Sequence, residues 1–170
     1  PSFGITEVPY GNQTVAVREE EVFATPFGTL LRFAKVGVPP QPKVLLVAPL
    51  SWHFATLLRD TVRVLLPDHD VHITDWAKAR DVGIWNGRFG FDEYVEHLIK
   101  FLEVMGPGAH VIAVCQPCVQ TLAAVAIMAE DDNPAQPRSM TLMAGPIDTR
   151  VSPTKVNELA KSNPIDWFEK

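Results

Sequence analysis

The sequence predicts an α/β fold, with a mostly parallel sheet and helices on both of its faces. Short, continuously apolar runs such as residues 43–48 are typical of strands that are buried on both faces of a parallel sheet. Longer segments such as residues 91–105 carry apolar side chains at helical spacing. Strands that alternate with helices in this way form parallel sheets with right-handed crossovers.

We expect one domain over residues 1–170, with N-terminal strands and a connector over 1–42, an α/β core over 43–143 and a post-core segment over 144–170. Turn residues, β-branched runs, apolar periodicity and the Gly and Pro positions divide this domain into elements. The expected elements are strands at 14–23 and 29–35, a Pro-rich connector at 39–42, a strand at 43–48, a helix at 54–66, a strand at 70–74, a helix at 91–105, a strand that leads to Cys115, a helix at about 118–130, a strand at 139–143 and helical turns at 153–161.

Composition excludes several classes of function. A net charge of −5 without clusters of Lys and Arg argues against a nucleic-acid partner, because phosphate binding draws on such clusters. No apolar run approaches the roughly 20 residues that a membrane span needs, and the N-terminus lacks a signal-peptide pattern. The chain has only two cysteines, three residues apart, so we expect a reducing cytoplasm rather than a disulfide framework.

Cys115 lies between the most apolar predicted strand and a strongly apolar helix. This is the layout of a nucleophile elbow, in which a sharp turn lifts the nucleophile above the sheet, and a helix N-terminus there favours the thiolate. Two other interpretations stay open for Cys115. It could be a buried structural cysteine, or it could form a C-x-x-C redox pair with Cys118. For Cys118 itself, simple packing is the favoured interpretation.

If Cys115 is a nucleophile, two backbone donors must stabilise the oxyanion of the tetrahedral intermediate. The elbow arrangement assigns the first to the backbone N–H of Gln116. The second should come from the loop after the strand at 43–48, from Ser51 or Trp52.

Other candidate residues follow the carboxyl ends of the predicted strands, where ligand sites of such sheets lie. His53, Asp75 and Trp76 are substrate-side candidates, but helix capping explains His53 equally well, and packing or rim positions are the favoured interpretation of Asp75 and Trp76. Asp148 follows the last strand and could serve as a triad acid, but a turn with an N-cap aspartate is favoured. All five histidines precede Cys115, so the chain order nucleophile–acid–histidine is not completed, and their spacing predicts no metal site.

Long blocks of the sequence resemble the intracellular polyhydroxyalkanoate (polyhydroxybutyrate) depolymerases. The resemblance covers most of residues 44–168. Its blocks are residues 47–51, 53–62, 73–76, 79–80, 87–89, 111–117 (with Ala113-Val-Cys-Gln-Pro117), 122–126, 136–143 and 145–150. Two places depart from the family pattern: Trp52 stands where glycine is expected, and residues 118–121 lack an expected proline near Gln120.

The resemblance implies an α/β-hydrolase fold and hydrolysis of ester bonds in poly(3-hydroxybutyrate) storage granules of a bacterial cytoplasm. It places Cys115 on the family's nucleophile, with the acid and the histidine beyond residue 170. It implies no metal and no organic cofactor. The implied partners are the polymer granule or its oligomers, and a homo-oligomer is a further expectation from an open sheet edge.

Three other functions remain open at this point. The chain could be a thioredoxin-like C-x-x-C oxidoreductase, although the pair then lies unusually late in the chain. It could be a polyester synthase-like acyltransferase, which can also use a cysteine nucleophile. Finally, it could be a granule-binding module without catalysis.

Overall fold

The computed structural model describes residues 2–50 and 57–168. These residues form one seven-stranded mixed sheet in the order β1-β2-β3-β5-β4-β6-β7. The strands are β1 (Glu7–Tyr10), β2 (Gln13–Ala24), β3 (Gly28–Lys35), β4 (Lys43–Val47), β5 (Asp70–Trp76), β6 (His110–Val114) and β7 (Ser139–Met143). Strands β5, β4, β6 and β7 are parallel, whereas the pairs β1–β2, β2–β3 and β3–β5 are antiparallel.

The described helices are α1 (Arg59–Leu65), α2 (Phe91–Met105), α3 (Cys118–Glu130), α4 (Lys155–Ser162) and α5 (Ile165–Phe168), with short 3₁₀ helices at Ala79–Asp81 and Ile84–Asn86. The predictions for α2, α3 and β7 are confirmed to the residue. Strand β5 continues two residues beyond its predicted end. The first residues of the helix predicted over 54–66 lie outside the described part of the chain, and the described helix spans Arg59–Leu65.

Helix α2 shows how local sequence sets the bounds of an element. The Glu93 carboxylate accepts a hydrogen bond from the backbone N–H of Gly90 at 2.8 Å, which satisfies one free donor at the helix start. Gly106 ends the helix in a conformation with φ +79°, which a residue without a Cβ adopts at little cost.

The core has two parts, one on each face of the sheet, because successive strand residues point to opposite faces. In β3, Leu30 packs in the cluster beneath α2 and α3, while Leu31 packs in the cluster beneath α1 and the N-terminal segment. Within the described part of the chain, no helix combines the length and the apolarity needed to cross a bilayer.

Candidate active site

Cys115 occupies a strained turn between β6 and α3. Its φ is +68°, in the left-handed region that costs a residue with a Cβ about 1–3 kcal/mol. The surrounding structure holds this conformation: the backbone N–H of Cys115 donates to Met143 O at 2.8 Å, and its carbonyl accepts from Cys118 N at 3.2 Å. The thiol-bearing residue is exposed. The turn therefore has the geometry of a nucleophile elbow.

Cys118 lies in a different environment one turn further on. It is fully buried, and its Sγ donates to Ala113 O at 3.4 Å and lies 3.6 Å from Met143 O. Burial raises the pKa of this thiol. Cys118 is therefore held as a neutral, packed thiol, which favours the structural interpretation given to it from the sequence and disfavours a role as half of a redox pair.

The loop after β7 closes against the elbow at Gly145. A Cβ at this position would lie 2.2 Å from the Cβ of Cys118 and 3.2 Å from the carbonyl oxygen of Cys115. Only glycine allows the two segments to approach this closely. The elbow thus depends on β7 and the loop that follows it, as well as on β6 and α3.

The first predicted oxyanion donor has the required freedom. Gln116 is exposed, and its backbone N–H meets no acceptor among residues 2–50 and 57–168. The residues predicted for the second donor, Ser51 and Trp52, lie outside the described residues, as does His53.

The described residues include the base of the loop for which this second donor is predicted, and hydrogen bonds hold it in place. Ala48 donates its N–H to the Thr74 hydroxyl at 2.9 Å. Its carbonyl accepts two hydrogen bonds, from Trp76 Nε1 at 2.9 Å and from the Tyr94 hydroxyl at 3.1 Å. Because Val47 pairs with Ala113 across β4 and β6, this loop leaves the sheet beside the strand that ends at the elbow.

The structure separates the two substrate-side candidates of β5. Trp76 is 3 % exposed and packs against Tyr94, with ring centroids 4.4 Å apart, so its described contacts support the Ala48 loop from below. Asp75 is only half-buried and lines an open cavity of about 320 Å³ with Thr25, Lys78 and Trp76 itself. Burial raises the pKa of the Asp75 carboxyl. A direct contact with substrate stays a prediction for both residues.

Asp148 forms a turn, as favoured from the sequence. Its carboxylate accepts hydrogen bonds from the Arg150 guanidinium at 2.9 and 2.8 Å and from the Arg150 backbone N–H, and this neighbour lowers the pKa of Asp148. The N-cap part of the prediction is wrong, because the next helix begins later and Thr154 caps it. Pairing with Arg150 on the surface also weakens the case for Asp148 as a triad acid.

Sequence reasoning missed Tyr94 and Thr74, which fix the loop before the elbow. Both residues occupy positions in apolar patterns. Their hydroxyl groups at buried positions predict a hydrogen bond, but the sequence does not identify the residue that forms it. His72, to which the sequence assigns no role, is buried within the sheet. Among the described residues, no three His, Cys, Asp or Glu side chains are grouped so that they could hold a metal ion.

No family model and no curated protein matches the sequence. The structure is similar to naproxen esterase (carboxylesterase NP) from Bacillus subtilis, at 16 % identity and a TM-score of 0.50, over 74 % of this chain and 42 % of that one. It is also similar to a mutant of an alpha/beta hydrolase enzyme from the metagenome of Lake Arreo, Spain, at 15 % identity and a TM-score of 0.53, over 92 % of this chain and 50 % of that one. The chain has a partial α/β-hydrolase fold. It spans half or less of the length of these two structures.

Proposed function

We propose that this chain carries the nucleophile of a cysteine-dependent ester hydrolase. The observation that supports this most strongly is the left-handed conformation of Cys115 at a strand-to-helix junction, with the side chain exposed and Cys118 buried beside it. A strained backbone conformation at an exposed reactive side chain is typical of functional sites. The α/β-hydrolase fold supplies the same strand–turn–helix context for a nucleophile.

The chemistry follows from this geometry in two steps. In the first, the Cys115 thiolate attacks the ester carbonyl, a C–S bond forms, the C–O bond breaks, and the alcohol leaves with a proton. The Gln116 N–H and a donor from the loop after Ala48 stabilise the oxyanion, and removal of one such donor typically costs about 2.7–4 kcal/mol. In the second, water attacks the thioester, releases the acid and returns the thiol.

The proposed substrate is poly(3-hydroxybutyrate), in storage granules or as oligomers within a bacterial cytoplasm. This part of the proposal is supported by the sequence blocks shared with the intracellular depolymerases. Several of these blocks coincide with structural features of the site: residues 47–51 include the Ala48 anchor, residues 111–117 include the elbow, and residues 145–150 begin at Gly145.

A polyester synthase-like acyltransferase would use the same first step, so the acceptor of the acyl group separates it from a hydrolase. A hydrolase transfers the acyl group to water, whereas a synthase accepts it from acyl-CoA and passes it to a growing polymer. The buried, neutral Cys118 gives no comparable support to the C-x-x-C oxidoreductase.

The test is acylation of the protein by p-nitrophenyl butyrate, with the modified residue located by peptide mass spectrometry. No histidine follows Cys115 in the sequence, so we expect the acylated protein to persist instead of turning over. One equivalent of p-nitrophenol should then be released per protein. Neutral hydroxylamine should then remove the acyl group, as it does for a thioester. Poly(3-hydroxybutyrate) trimer tests the substrate in the same assay.

Cys118→Ala is the matched control and should be acylated like the wild type, whereas Cys115→Ala should not be acylated. Equal p-nitrophenol release from Cys115→Ala and the wild type would overturn the proposal. Acylation by p-nitrophenyl butyrate without any by the hydroxybutyrate trimer would keep the esterase chemistry and reject the polyester.

A further inference from the structure

We infer that an apolar pocket beside the Ala48 loop binds the short aliphatic part of an ester substrate. The pocket has a volume of about 240 Å³, and its main lining residues are Phe27, Leu50, Ala77, Val82, Ile84 and Phe89. This inference rests on the proposed ester hydrolysis, and it adds where the apolar portion of the substrate lies.

The lining sets the chemical class of the ligand. Apolar side chains dominate it, and none of the described residues that line it is charged. Such a surface binds neutral apolar groups and disfavours carboxylates or phosphates, which would lose hydration without gaining a partner. The volume lies below the roughly 300–1,000 Å³ of drug-sized pockets, so the fitting group is a short alkyl chain.

Rigid aromatic contacts hold one wall of the pocket. The rings of Phe27 and Phe89 stack with centroids 4.9 Å apart, and Phe89 packs against Trp76 at 5.6 Å. Trp76 also donates the hydrogen bond that fixes Ala48 O. The same indole therefore supports both the pocket wall and the base of the predicted oxyanion loop.

The pocket and Cys115 lie on opposite sides of one strand. Leu50 follows Ala48 on the loop after β4, and Ala77 directly follows β5, while Cys115 follows β6. Because β4 pairs with both β5 and β6, the carboxyl ends of β5 and β6 are about 10 Å apart, at roughly 4.8 Å between neighbouring strands. A short ester that lies across the end of β4 can reach both places.

The rim of the pocket is unusually apolar for a water-facing surface. Ile84 lines the pocket and is 92 % exposed, and its neighbour Trp85 is 86 % exposed. Bulky apolar side chains exposed next to each other commonly mark a binding site. Ile84 carries the apolar lining out to the surface, and Trp85 is a second exposed apolar side chain next to it in the sequence.

The test is direct binding of 2-butanone, 2-hexanone and 2-octanone, which resemble esters and cannot be hydrolysed. Binding is followed by NMR of ¹³C-labelled Ile and Val methyl groups. We expect saturable shifts at Ile84 and Val82, and an affinity that rises by about fourfold for each added methylene until the pocket is full.

Val82→Phe fills the pocket and should weaken 2-hexanone binding at least tenfold. Val156→Phe is the matched control, because Val156 lies in α4, is 72 % exposed and is not among the residues that line the pocket. This variant should bind 2-hexanone with the affinity of the wild type. Ile84→Gln provides a second pocket variant that changes an exposed residue, so that folding is preserved. Equal affinity in the wild type, Val82→Phe and Ile84→Gln would overturn the inference.

Cys115→Ala separates this inference from the proposed function, since binding of a ketone does not need the thiol. A wild-type protein that shows no acylation of Cys115 but still binds the ketones would refute the chemistry and keep the pocket. Normal acylation of Cys115 with the same preference among acetate, butyrate and hexanoate esters in Val82→Phe would refute the pocket and keep the chemistry.

Discussion

The centre of the sheet and its β7 side are packed very differently. From Gly28 to Ala135, strands β3, β5, β4 and β6 bury side chains on both faces beneath α1, α2 and α3. None of the described residues from 136 to 168 is buried, and among the described strands β7 pairs only with β6. The exposed apolar side chains of this second region are Met143, Ile147, Val151, Val156, Leu159, Ile165, Trp167 and Phe168.

Cys115, the proposed nucleophile, lies at the boundary between these two regions. Cys115 extends from the well-packed region, but its N–H is bonded to Met143 and its turn is in contact with Gly145, both in the exposed region. An exposed apolar surface beside an unpaired strand edge is typical of an interface. The elbow is therefore held from both regions: β6 and α3 place it at the edge of the packed region, and Met143 and Gly145 contact it from the exposed region.

The largest expected change is in the free energy of unfolding, when one aromatic residue from each region is replaced by alanine. Phe101→Ala removes a fully buried ring from the cluster beneath α2 and should lower the free energy of unfolding by about 3–5 kcal/mol. Trp167→Ala, at a residue that is 51 % exposed, should change it by no more than about 0.5 kcal/mol. Urea denaturation measures both. Similar losses would show that the exposed region is packed in solution.

Gly145→Ala tests the contact that joins the two regions. The new methyl group would overlap Cys118, so we expect a loss of about 1–3 kcal/mol and slower modification of Cys115. Ala144→Gly is the neighbouring control. Ala144 has φ +54°, so glycine relieves strain there and stability should barely change. If Gly145→Ala changed neither the stability nor the rate of Cys115 modification, the loop after β7 would not be packed tightly against the elbow.

His72 makes the stability of the packed region depend on pH. Burial lowers the pKa of its imidazole, against the opposing influence of Asp70, so the folded state binds fewer protons than the unfolded chain. Stability should therefore fall as the pH drops below about 6.5, by up to about 1.4 kcal/mol per pH unit. His72→Phe should flatten this dependence between pH 6.5 and 5. His110→Phe, at a histidine bonded to Ser139 on the surface, should leave it in place.

Asp75 should show the smallest effect, with the opposite sign. Burial raises the pKa of its carboxyl, so the charged form is disfavoured in the folded state. Asp75→Asn should stabilise the protein at pH 7 by less than about 1 kcal/mol, because the side chain is only half-buried. The advantage should vanish as the pH falls toward 3.9, where the unfolded carboxyl also becomes protonated. Thermal unfolding at pH 7 and pH 4 measures it, and destabilisation at pH 7 would contradict it.

Local patterns were sufficient to predict much of the fold. The apolar periodicity of α2 between Gly90 and Gly106 defines a helix without tertiary information, and the apolar strand before Cys115 with the apolar helix after it predicts the elbow. Strand β1 was missed because four residues that include Pro9 carry almost no strand signal.

What the sequence could not predict depends on contacts between distant residues. The two hydrogen bonds to Ala48 O come from Trp76 and Tyr94, which lie 28 and 46 residues further along the chain. The sequence also does not predict that none of the described residues from 136 to 168 is buried, because the pattern of α4 also fits an amphipathic helix packed on a core. The resemblance to the depolymerases supplied a substrate, which neither the fold nor the site geometry determines.

The most direct test of the account is the rate of alkylation of each cysteine by iodoacetamide in the folded protein, read by peptide mass spectrometry. Cys115 should be modified readily, whereas Cys118 should be modified only when urea unfolds the chain, because its thiol is buried and neutral. Equal rates at the two thiols, or a Cys115 that stays unmodified until the protein unfolds, would contradict an exposed nucleophile on a rigid elbow.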